Sequence, residues 1–178
     1  MKTLQPGGHI DQLLRQTRWH HVQLSAMADA KANMIFTVSS VVITLSIRYI
    51  TEPRIRWPAF TLIGFCLITI VMAAYAVMPK MAVFDRPSRT IDAHSPAFNL
   101  LFFGDFIHLD YEHFEQAMEE TLSDPARSYE VMVREIYLLG VFLGRKKYRF
   151  VRLSYLTFIA GLVVSGVVFA GAEALRLQ

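Results

Sequence analysis

Charge is what this chain leaves out, in three places. Ala32 to Ile47 is a run of 16 residues without Asp, Glu, Lys or Arg, Trp57 to Met78 one of 22, and Leu153 to Ala172 one of 20. Cysteine is almost absent as well. Cys66 is the single one, so no intrachain disulfide can form. There is no Gly-rich phosphate loop, no nucleophile elbow, no HExxH and no CxxC, so no familiar catalytic or metal motif is present. No internal repeat or low-complexity segment stands out. A cleavable signal peptide is not expected. Met1 to Arg18 is polar, and the first apolar run is followed by arginines rather than by a small-residue cleavage site.

The runs that lack charge set the class. A hydrocarbon core of about 30 Å needs ~20 apolar residues at 1.5 Å rise each. The second and third runs meet that length. The first can borrow Ala26, Met27 and Ala28, or reach past Arg48, whose stem can snorkel to the headgroups. Of the 178 residues 53% are hydrophobic, too many for a soluble domain of ordinary charge content. The expected fold is an all-α membrane protein with three transmembrane helices, at 32–50, 57–78 and 152–172. It is read as a single domain over 1–178, with a helical cytoplasmic region formed by the N-terminal helix (1–31) and the segment 79–150.

Net charge is +3. In a membrane protein this reports topology rather than nucleic-acid binding, and no nucleic-acid partner is expected. Arg15, Arg18, Lys31, Lys80, Arg86, Arg89, Arg145, Lys146, Lys147, Arg149 and Arg152 fall on one side of the spans. Arg48, Arg54, Arg56 and Arg176 fall on the other. The bias places the N-terminus in the cytoplasm.

Ile10, Leu13, Leu14, Thr17, His21, Leu24 and Ala28 recur at helical spacing, so an amphipathic helix should run unbroken into the first span. Pro53 lies in a turn over 52–56, Pro79 ends or kinks the second span, and 85–97 reads as a loop. Phe98 to Leu109 is an apolar stretch broken by Gly104 and Asp105. Asp110 caps a helix over 111–122. Asp124 caps the next, with Pro125 at its first position, and that helix can continue through Tyr148 into the third span.

Asp29, Asn33, Thr37, Ser40 and Thr44 share one face of the first long helix. Such a row is costly in hydrocarbon and should meet protein or water. It is either a water-lined seam or ordinary helix packing. Gly161-x-x-x-Ser165 in the third span allows close helix approach, within the chain or between copies. Asp29 and Lys31 lie where the first helix meets the membrane, as anchors or as a latch. Lys31 with Arg145 to Arg149 suggests a cationic ring, for a phosphate or for anionic lipid headgroups. The aromatics of Asn99 to Phe106 can pack on the cytoplasmic helices, lie in the membrane interface or stack on a base. His108, Asp110 and His113 match no standard ligand spacing, so neither a metal nor a cofactor is expected.

Met27-Ala28-Asp29-Ala30-Lys31-Ala32-Asn33, Asn99-Leu100-Leu101-Phe102-Phe103-Gly104, and Tyr137-Leu138-Leu139-Gly140 followed by Lys146-Lys147-Tyr148-Arg149 occur in order around the three spans. This pattern, over roughly 15–170, resembles the Pycsar effector transmembrane domain family. The resemblance implies a non-enzymatic antiphage effector of the bacterial inner membrane, paired with a pyrimidine nucleotide cyclase. Cyclic CMP or cyclic UMP would activate it to impair the bilayer, and homo-oligomers would form. A β-roll nucleotide-binding domain needs alternating strands with Gly-rich turns, which 79–150 does not supply. A ligand site would then be helical, with Lys31, Lys147 and Arg149 as candidates. The competing reading is a membrane anchor that recruits a cytoplasmic partner.

Overall fold

The computed structural model describes residues 7–78 and 98–176. The expected loop 85–97, the role of Pro79, and Lys80, Arg86, Arg89 and His94 lie outside the described residues. Helices account for nearly everything else: α1 (Gly8–Ile47), a 3-10 turn (Arg48–Thr51), α2 (Arg56–Val77), α3 (Phe103–Phe106), α4 (Tyr111–Ser123), α5 (Pro125–Phe142), a π-helical turn (Leu143–Lys147) and α6 (Tyr148–Arg176). No strand occurs among the described residues. Three helical stretches are long and apolar enough to cross a membrane, Gly8–Thr51, Arg56–Val77 and Pro125–Arg176. The protein is an all-α membrane protein.

The expected caps are present. Asp110 accepts from the His113 backbone N–H at 3.3 Å at the start of α4. Asp124 accepts from the Ala126 N–H at 2.9 Å, with Pro125 opening α5. Two features differ from expectation. The helix expected to run from Pro125 into the third span is continuous over Pro125–Arg176 but changes to π geometry over Leu143–Lys147. The stretch before Asp110 contains α3, a single helical turn. Its geometry comes from local side-chain bonds that periodicity does not show: the Leu101 N–H donates to Asn99 Oδ1 at 3.1 Å, and the Asn99 N–H to Asp105 Oδ2 at 2.9 Å.

The chain forms two compact units. Unit 1 comprises Met1–Gln23 and Pro79–Phe142, and unit 2 comprises Leu24–Met78 and Leu143–Gln178. In unit 1, α5 runs parallel to the first part of α1 at a nearly constant offset. Tyr129 Oη donates to Asp11 Oδ1 at 2.6 Å, Arg18 Nε donates to Glu135 Oε1 at 2.9 Å, and Gly140 faces the His21 ring. A small apolar core gathers Phe98, Leu100 and Ala117, with Phe106, Phe114 and Val131 against them. Phe106 and Phe114 meet at 5.1 Å between ring centroids, whereas Phe102 and Phe103 face outward.

In unit 2, α6 packs antiparallel along α2. Phe150 meets Tyr75, Gly161 meets Phe65, and Ser165 Oγ donates to the Pro58 carbonyl at 2.9 Å. Past the last turn of the bundle, Arg54 forks onto Glu173 with two bonds of 2.8 Å. The core is built from small side chains. Ala28, Ala32, Ile35, Ala73, Ala76 and Val151 form its apolar cluster. Thr69, Cys66, Ser39 and Ser154 are the largest fully buried side chains. Large ones such as Val71, Val163 and Val167 point outward, at 61–67% exposure. That inversion suits lipid, where close van der Waals packing rather than hydrophobic burial drives association.

Candidate functional site

Asp29, Ser25 and Lys147 meet inside unit 2. Lys147 is 7% exposed, and its Nζ donates to Asp29 Oδ2 and to Ser25 Oγ, each at 2.7 Å. The second Asp29 oxygen, Oδ1, is buried without a partner. Helical spacing explains the clasp from one side: Ser25 and Asp29 are one turn apart on α1 and point the same way. From the other side, the π turn ends at Lys147, and Tyr148 Oη donates to the Leu24 carbonyl at 3.0 Å just beyond it. Two turns further along, Tyr155 Oη donates to the Lys31 carbonyl at 3.2 Å. The sequence marked Asp29 and Lys147 separately and missed Ser25. No local pattern could pair residues 118 positions apart.

The proposed cationic ring is therefore split by burial. Lys31 and Arg149 are exposed, whereas Lys147 is interior and already paired. Lys146 stacks on the Tyr75 ring at 4.9 Å.

Beyond Asp29, which Lys147 takes, the polar row of α1 does not face the rest of its own chain. Asn33, Thr37 and Thr44 are exposed and Ser40 is half-buried. Ala28, Ala32, Ile35, Ser39 and Ser46 form the buried side of α1. At 100° per residue the two sets are centred roughly 140° apart around the helix. Within the row, each hydroxyl turns back to its own backbone. Thr37 Oγ1 donates to the Asn33 carbonyl at 2.9 Å, Ser40 Oγ to Phe36 at 2.9 Å, and Thr44 Oγ1 to Ser40 at 3.0 Å. The Asn33 amide has no hydroxyl to turn back in this way. Gly161 and Ser165 both lie against α2 of the same chain.

In unit 1, a cavity of about 150 Å³ opens between the 98–100 segment, α4 and α5. Arg127, Arg134, Glu130, Asn99 and Phe98 help line it. Arg127 pairs with Glu120 at 3.3 Å and Arg134 with Glu130 at 3.0 Å. The sequence reading did not single out these arginines, since two charges on a solvated helix carry no signal alone. His113 Nδ1 contacts Asp110 Oδ1, and that hydrogen bond holds the Asp110 carboxyl below its usual range. Asp110 thus serves as a helix cap. The bond from Tyr129 to Asp11 raises the Tyr129 phenol above its usual value.

Residues 12–172 match the Pycsar effector protein domain. The chain belongs to that family. No curated protein and no solved structure matches it. As a Pycsar effector, it takes an antiphage role, and it does so as a multi-pass membrane protein.

Proposed function

We propose that this Pycsar effector impairs the bacterial inner membrane when a cyclic pyrimidine nucleotide, cyclic CMP or cyclic UMP, is made during infection. It acts without catalysis, with its N-terminus in the cytoplasm, and it works as a homo-oligomer. The observation that carries this reading is the outward polar row of α1. A row that turns away from its own bundle is available to other copies, and assembled copies can bring several such rows around one aqueous path. The activator is recognised by the basic groups at the head of the bundle. Lys31 and Arg149 are exposed there, and Lys147 becomes available to a phosphate only by leaving Asp29.

One observation favours a membrane anchor instead. The row's three hydroxyls bond their own helix, so they do not require a neighbour. The readings separate on replacement of Asn33, Thr37, Ser40 and Thr44 by apolar residues of similar size. The effector should lose depolarisation and dye uptake in cells that also express an active pyrimidine cyclase. An anchor keeps its function, and unchanged depolarisation by the variant would rule out the polar row as the lesion.

A further inference from the structure

We propose that the Leu143–Lys147 π turn and the Asp29–Lys147 ion pair form a latch holding unit 2 at rest, and that opening it is the activating step. This inference rests on the membrane-impairing function proposed above. The pair is half-buried and poorly completed. The ammonium carries three protons and has two acceptors, Asp29 Oδ2 and Ser25 Oγ, while Asp29 Oδ1 is buried with none. Lys147 is the buried partner, its side chain 9% exposed against 40% for Asp29, and a buried charge repays its desolvation only when its remaining hydrogen-bonding groups are satisfied. The contact therefore fixes a geometry more than it deepens the fold.

The turn that delivers Lys147 is also an uncommon one. π turns occur as single interruptions of α-helices, frequently at functional positions. This one contains Gly144, and a Cβ built at Gly144 meets nothing within 4 Å, so crowding does not demand glycine there. Glycine's low helix propensity instead weakens the α geometry at this position and narrows its lead over the π turn. Taking the extra residue out of the turn changes the helical phase by about 100°. Lys147 is the last residue of the turn, so a rotation on its side carries Nζ off Asp29. The molecule thus holds a two-state element with a charged catch. A ligand that binds the released form better shifts it by that difference in affinity.

The test uses the full chain. Asp29→Asn keeps the side-chain size and removes the charge. In detergent, hydrogen exchange at amides 143–149 should rise about tenfold or more relative to wild type. In cells, the variant should depolarise the membrane without a cyclase. The swap Asp29→Lys/Lys147→Asp should return exchange at 143–149 towards the wild-type rate. If Asp29→Asn fails to accumulate in the membrane, Lys147→Met is read in the same way. Unchanged exchange overturns the latch. So does a variant that needs the cyclase as wild type does, or one that stays silent with it while wild type depolarises. Raised exchange together with a wild type that never depolarises under active cyclase overturns the proposed function and leaves the latch standing.

Discussion

Gly161 has no room for a side chain, because a Cβ built there falls 2.5 Å from the Phe65 Cβ. Gly161→Val should separate α6 from α2 and cost about 1–3 kcal/mol, the usual range for overpacking. Gly166→Ala, where nothing lies within 4 Å, should change little. Thermal unfolding of the two variants in detergent checks the contrast. At the far end of α6, hydrogen bonding to Arg54 holds the Glu173 carboxyl below its ordinary value of 4.5. A carboxyl depressed in the folded state contributes stability that is fully present above the unfolded value and fades as pH falls through the folded one. The wild type should therefore lose its margin over Glu173→Gln as pH drops below that value, and thermal midpoints taken across the acid range would show the two curves converging. Parallel curves would mean the bidentate contact contributes nothing.

At the scale of the element, the spans were legible because hydrocarbon excludes charge, and the caps because Asp110, Asp124 and Pro125 act within a few residues of where they sit. The π turn was not legible. Gly144 is a weak signal in Leu143-Gly144-Arg145-Lys146-Lys147, and the partner of Lys147, Asp29, lies on another helix far away in sequence. The polar row was legible as a row but not in its direction. Spacing fixes which residues share a face, while packing decides where that face points. Its hydroxyls lead to a prediction. Because Thr37 and Thr44 bond only to their own helix, Thr37→Val and Thr44→Val should each leave stability within about 0.5 kcal/mol, as for surface substitutions. The readout is the detergent melting midpoint. A larger loss would reveal a partner for those hydroxyls.

For the whole molecule, the two units differ in how much they bury. α2 in unit 2 contains six buried residues, whereas α4 in unit 1 contains two, Ala117 and Thr121. Amides of α4 should exchange with solvent well before those of α2, measured by mass spectrometry on protein in detergent, since protection follows local burial. Equal rates would mean the units open together. The small-residue seam of unit 2 has a consequence of another kind. With Ser39, Cys66, Thr69 and Ser154 fully enclosed and α2 held against α6 at Gly161, unit 2 of each copy is closed along this seam, like a solid post. On the proposed function, leakage then belongs to encounters between posts and not to any one of them. Such a leak grows faster than the number of copies, by mass action. A cell can carry a sparse population at no cost and lose its membrane potential over a narrow interval of surface density, so the dose–response curve should be a threshold and not a line.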